Sequence, residues 1–183
     1  YQARVLKRQV FASSRIKTMN ESIYYNVDAL HRAIAENRQV RFVYQDWTLE
    51  KKKAARRGGG AYTVSPWALL FEDEKLVSFV DGFVTNTPDL TDEMYADASL
   101  HDAHGAWQMI FGVNTLPEYR KQGLAGQLLH RAIADAKAQG RRGLVLTCKD
   151  RLVHYYAGFG FVSEGVSGST HGGVVWYQMR LTF

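Results

Sequence analysis

The stretch Tyr119-Arg120-Lys121-Gln122-Gly123-Leu124-Ala125-Gly126 decides the reading of this chain. A near-continuous apolar run, Trp107–Thr115, leads into it, the pattern of a strand buried on both faces. Out of it runs a helix beginning near Gly123, whose Leu124, Leu128, Leu129, Ala132, Ile133 and Ala136 form one stripe until Gly140 ends it. A strand that turns into a helix points free backbone N–H groups and the positive helix end at one spot. A phosphate fits there. Gly123, Ala125 and Gly126 keep side chains out of the way, and Arg120 and Lys121 add mobile positive charge. The same small residues would equally serve an ordinary strand-to-helix turn packed for its own sake.

Beyond Gly140, Gly143–Cys148 reads as a short buried strand and residues 150–157 as a short helix. Residues 158–163 and 173–181 read as two further strands, an antiparallel hairpin joined by a loose 165–172 segment. Strand, helix and strand with a buried centre predict a βαβ unit. On the N-terminal side, residues 87–105 are acidic and weakly periodic, with a turn of helix expected at 91–95. Residues 75–85 read as a strand, as do 62–71, where Pro66 demands an edge position or a bulge. Val40, Phe42 and Tyr44 alternate along another strand, and Asn26 can cap a helix over 27–36. Residues 1–26 read as a polar arm that docks or frays.

Arg120-x-x-Gly123-x-Ala125 after a buried strand resembles the Gln/Arg-x-x-Gly-x-Gly/Ala signature of the GNAT acetyltransferases, and the longer run from Leu116 to Ala125 shares their pattern. Leu144–Asp150 followed by Tyr155-Tyr156-Ala157-Gly158-Phe159-Gly160-Phe161 resembles their second cofactor-binding motif, and Gly168–Met179 is similar to bacterial relatives of the arylalkylamine acetyltransferases. The resemblance covers residues ~75–183. It implies a mixed α/β (α+β) central sheet flanked by helices, acetyl-CoA as cosubstrate and a small amine as acceptor. It implies that N–H groups of Gln122, Gly123, Leu124, Ala125 and Gly126 hold the coenzyme A pyrophosphate, with Arg120 or Lys121 beside it. The 107–115 strand would splay from 143–148, and the pantetheine arm would bond main chain at Val113, Asn114 and Thr115.

In the same resemblance Tyr156 protonates the departing thiolate, with Tyr155 as its competitor. A phenol of pKa ~10 is a fit donor to a thiolate of pKa ~8.5 or above. A general base is expected in the acidic loop, among Asp92, Glu93, His101 and His104, with Glu93 first, because Met109 and Phe111 carry no titratable group. Neither a His pair nor a Cys pair suggests a metal. Cys148 is expected to be core.

The front of the chain has a different character. Ser14–Met19, Tyr25–Leu30, Val40–Tyr44 and Tyr62–Leu69 resemble the start of a WYL domain of bacterial transcriptional regulators. That resemblance implies a half-domain over 1–74 that completes the sheet of a 75–183 acetyltransferase-like domain, natural or built as a chimera. It also keeps open a ligand- or nucleic-acid-binding module, or a chimera that retains only residual coenzyme A binding. Residues 1–75 hold fourteen Lys/Arg against eight Asp/Glu, and 76–183 hold nine against ten. The excess peaks at Lys51-Lys52-Lys53-Ala54-Ala55-Arg56-Arg57, read as a solvated hairpin tip because no aromatics interleave it.

With 46% hydrophobic and 22% charged residues the chain is globular, which excludes a wholly disordered protein. No apolar run approaches the ~20 residues of a membrane span. One cysteine fits a reducing cytoplasm. The opening Tyr1-Gln2-Ala3-Arg4 has no start Met and no signal-type apolar stretch, as in a piece of a longer protein.

Overall fold

Short apolar and alternating runs, not long ones, build this molecule. The computed structural model describes residues 10–12, 29–30, 32–33, 36, 40–43, 45–47, 53–55, 61–72 and 75–183. Among them the strands are β1 (Val10–Ala12), β2 (Val40–Val43), β3 (Gln45–Trp47), β4 (Lys53–Ala55), β5 (Ala61–Glu72), β6 (Lys75–Thr85) and β7 (Trp107–Thr115). Helix α1 (Leu124–Ala138), β8 (Gly143–Cys148), helix α2 (Asp150–Ala157), β9 (Val162–Val166) and β10 (Tyr177–Thr182) follow. Eight strands form one sheet in the order β1-β5-β6-β7-β8-β10-β9, with β2 also paired to β5. β7 and β8 are parallel and joined through α1, the expected βαβ unit. The flanking pairs β6–β7, β8–β10 and β9–β10 are antiparallel.

Helix α1 forms because its apolar residues recur every three to four positions, and it buries Leu124, Leu128, Leu129, Ala132 and Ala136. Each fully buried Leu contributes about 1.5–3 kcal/mol of apolar burial. It ends where Gly140 takes φ +72 and the Arg141 N–H returns to the Ala136 carbonyl at 3.1 Å. Its apolar face meets Val80, Val84, Ile110, Leu144 and Leu146 of the sheet in one core. A second, smaller core lies among Phe83, Leu90, Met94, Trp107, Met109 and Val145. Residues alternating along β8 divide between the two cores, so the sheet separates two faces.

Several sequence expectations need correction. The polar arm over 1–26, expected to dock or fray, docks through β1, which pairs in parallel with Leu69–Phe71. The basic run is not only a tip: Lys53–Ala55 pairs antiparallel with Gln45–Trp47, and the rest of the run lies outside the described residues. Only Trp107–Ile110 of β7 is fully buried, and 111–115 is more open. The strands expected at 158–163 and 173–181 run instead over Val162–Val166 and Tyr177–Thr182. Gly158 still belongs to the end of α2 and Gly160 has φ +90, so the chain turns before it can extend. Pro66 does bring a bulge, since the β5–β6 register shifts between Pro66 and Ala68. Of the helix expected over 27–36, Ala29, Leu30, Arg32 and Ala33 are helical and the remainder is largely outside the described residues.

Candidate active site

Strands β7 and β8 pair only from Trp107↔Gly143 to Ile110↔Leu146. Beyond that point β7 stays with β6, out to Ser78↔Thr115, and leaves β8. The cause is local. The β6–β7 register shifts so that Asp81 faces Gly112 while Gly82 faces Ile110, which leaves Phe111 as an extra residue. Such a bulge bends its strand and sharpens the twist. A wedge therefore opens between 111–115 and 147–148. Ser78 holds the outer side of the departing strand, its Oγ donating to the Asn114 carbonyl at 2.8 Å and lying 2.8 Å from Thr115 Oγ1.

At the wide end of the wedge the chain turns through Pro117–Tyr119, and α1 begins. Arg120 Nε donates to the Thr115 carbonyl at 3.1 Å, which ties the turn to the strand. Lys121 adopts φ +62 and Gly123, the N-cap, φ +80. A left-handed residue costs an L side chain about 1–2 kcal/mol, so Gly at 123 follows from the backbone. No side chain caps the helix start. Its first N–H groups therefore take no side-chain cap and stand at the positive end of fifteen aligned residues. Gly126 has another reason to be small, for a Cβ there would meet Phe159 Cζ at 3.3 Å. It lets the helix sit close on Phe159.

Tyr156 lies on the α1 side of the sheet, 8% exposed, clustered with Cys148 and Phe161. Burial above all, then Cys148 and Tyr155, push its phenol well above the usual tyrosine range, so it holds its proton. Tyr155 is 39% exposed and meets Phe159 edge-on, centroids 5.1 Å apart, and so faces outward rather than into the core. Burial, then Asp150, raises the Cys148 thiol to about 11, which keeps it protonated and poorly nucleophilic.

The opposite face carries a second set of groups. Tyr95 stacks near Phe111, centroids 4.5 Å apart, and Phe111 near Phe83 at 4.9 Å. The Tyr95 hydroxyl reaches Thr147 of β8, and burial pushes its pKa up to about 12. This aromatic wall thus bridges the wedge from the far side. Asp92, expected in a solvated loop, is a latch: it accepts from Ser169 Oγ at 2.5 Å and from the Thr170 N–H at 3.0 Å. Those bonds, Ser169 first, hold its carboxyl below the usual range.

His101 accepts the Val84 N–H on Nδ1 at 3.2 Å, and burial lowers its pKa, which makes it a neutral strand cap. Glu93 and His104 are exposed. Sequence reasoning missed Asp81. Its Oδ1 is buried without a hydrogen-bond partner, and burial pushes the carboxyl up to about 7. Val80-Asp81-Gly82, a polar residue in an apolar strand, was the available signal. No group of three metal-ligating side chains occurs among the described residues.

A sheet that parts in its middle, with an uncapped helix start at the mouth of the parting, defines a class as well as a site. Residues 27–161 match the acetyltransferase (GNAT) family, and the chain belongs to that family. The match does not stop at residue 75 but takes in β2–β5, within the segment that the sequence led us to expect to be a WYL half-domain. The chain is 30% identical over 111 residues to serotonin N-acetyltransferase of Mesocricetus auratus, covering 60% of this chain and 52% of that protein. It thus spans about half the length of that curated relative. Among solved structures it resembles the GphF GNAT-like decarboxylase in complex with isobutyryl-CoA, with TM-score 0.52, 18% identity, and 62% and 76% of the two chains covered. It also resembles a GNAT acetyltransferase of Streptococcus pneumoniae, with TM-score 0.45, 24% identity, and 67% and 66% covered. Among the described residues no helix is long and apolar enough to cross a membrane.

Proposed function

We propose that this chain is an acetyl-CoA-dependent N-acetyltransferase that moves acetyl to a primary amine by direct attack on the thioester. The observation that carries this reading is the parting of β7 from β8 beside the uncapped start of α1. Free N–H groups at residues 122–126 suit a pyrophosphate, and Arg120 and Lys121 stand next to them. The edge of β7 at Val113, Asn114 and Thr115 suits the amides of a pantetheine arm, as an added strand would. An acyl group threaded through the wedge would have Tyr156 on one side and the Tyr95–Phe111 wall on the other. Tyr156, protonated at any working pH, supplies a proton to the thiolate that leaves. Coenzyme A supplies the activated acyl carbon, and the protein supplies position and protons.

The front segment, for all its WYL likeness, serves in this reading as part of one sheet, since β1 and β2 both pair with β5. A nucleic-acid-binding role would rest on the basic run alone and would appear as steeply salt-dependent DNA affinity. The experiment for the proposed activity is titration with acetyl-CoA followed by turnover with a panel of primary amines, serotonin first. Saturable binding with amide formation is expected. An unshifted melting temperature at millimolar acetyl-CoA sinks the proposal.

A further inference from the structure

Among the described residues, Asp81 Oδ1 is the buried side-chain oxygen that lacks a hydrogen-bond partner. A buried carboxylate oxygen without a partner is costly, and the cost is tolerated where the group has something to receive. Its place in the fold says what. Asp81 lies in β6 opposite Gly112, at the bulge where β7 turns from β8. Gly112 brings no side chain to cover it, and any Cβ there would run into the carboxylate and crowd Asn114 Nδ2. The carboxylate therefore lies across the departing strand, beside the wedge.

Around it stand Asn114 of β7, Pro66 paired across β5, and Tyr95 from the 92–95 turn, whose own ionisation responds to Asp81. Tyr95 is the titratable group in that company, and no Lys or Arg among the described residues offsets the Asp81 charge. The amine acceptor arrives as an ammonium, so a buried anion without a cation is complementary to it.

We propose that Asp81 binds the acceptor ammonium and takes its proton, in the role that the sequence led us to expect of Glu93. This rests on the acetyltransferase reading above. Asp81 Oδ1 accepts one proton from R–NH3⁺, leaving R–NH2, whose lone pair forms the new C–N bond at the thioester carbonyl. The C–S bond breaks with its electron pair on sulfur, and sulfur takes the Tyr156 proton. The Tyr156 phenolate recovers a proton from the acylated nitrogen, and Asp81 releases its own to solvent. One amide, one thiol and one proton result, so the step balances.

The test is Asp81→Asn, close in shape, with serotonin as acceptor. Wild-type kcat/KM should rise with pH through an inflection near the Asp81 value. The variant should lose about 10²-fold or more at neutral pH, lack that inflection, and recover as pH nears the amine's own pKa. A weak amine such as 2,2,2-trifluoroethylamine, neutral at pH 7, should suffer far less. A loss that is equal for both amines and at all pH values, or a variant within about threefold of wild type, overturns the proposal. A second measurement is independent of turnover: 13C NMR titration of the Asp81 carboxyl in the free protein, with and without serotonin. Titration well above the usual range, lowered by the amine, supports the role even if acetyl transfer is absent. An ordinary carboxyl titration that ignores the amine refutes it even if the protein proves to be an active acetyltransferase.

Discussion

The carboxylate of Asp81 occupies the space that a side chain on Gly112 would need. The two residues are register partners across β6 and β7, at the point where the β7 bulge begins. Strand geometry, the bulge and a buried charge thus meet in a single contact, and a methyl group is enough to probe it.

Gly112→Ala should destabilise the protein by about 1–3 kcal/mol, the usual cost of forcing a methyl group into filled space. Urea denaturation would show a lower midpoint with an unchanged slope. A variant as stable as wild type would mean that the Asp81 carboxylate gives way without cost.

Asp81 should also lower stability at the pH where it is charged. Its pKa rises from about 3.8 in the unfolded chain to about 7 in the folded one. The native state then binds more protons between those values, so stability falls as pH rises through them and stays reduced above about 7. Asp81→Asn should therefore stabilise the fold at pH 8, on the order of 1–4 kcal/mol, and change it little near pH 4. Equal melting shifts at both pH values would contradict the burial of the charge.

Gly123→Glu should abolish the rise in melting temperature produced by coenzyme A. At free ligand 100 times Kd that rise corresponds to ~2.7 kcal/mol in the wild type. Gly123→Ala is the control, since it pays the left-handed backbone cost without adding charge. If the Gly123→Glu variant kept the shift intact, the anion site would lie elsewhere.

Tyr156→Phe should spare coenzyme A binding and lower kcat by roughly 10²–10⁴-fold, the worth of a positioned acid. The ring still fills its place beside Cys148 and Phe161, so the fold should survive. Tyr155→Phe should be mild, because that ring packs on Phe159 at the surface. Equal turnover in both variants would assign the proton to water.

Asp92→Ala should loosen the 167–173 loop, readable as faster amide exchange at Thr170, whose N–H the carboxylate accepts. The lowered carboxyl pKa means that in the wild type the latch holds above the ordinary Asp range and is lost as pH falls through the folded value. Unchanged exchange would show that the loop is held by other contacts, such as the 2.8 Å bond from Trp176 Nε1 to the His171 carbonyl.

Much of the molecule is local, and local features are legible. The strands at 107–115 and 143–148 and the helix at 150–157 follow directly from apolar runs and punctuation by Gly and Pro. Gly123 could be read as the turn into a helix because its left-handed backbone and the helix that follows are set by neighbours in the chain. The short strands Val10–Ala12, Gln45–Trp47 and Lys53–Ala55 escaped because three residues carry no period, and pairing across the sheet is what makes them strands.

Sequence alone therefore determined the βαβ unit, the glycine-led turn and the family pattern, since each depends on residues close along the chain. Tertiary structure decided the electrostatics of the candidate site. Asp81 and Gly112 are 31 positions apart, and only their register, with Tyr95 closing over the same face, turns an ordinary aspartate into a buried carboxylate with one unpartnered oxygen. A pKa is a property of surroundings, and surroundings assembled from distant strands have no signature in one of them.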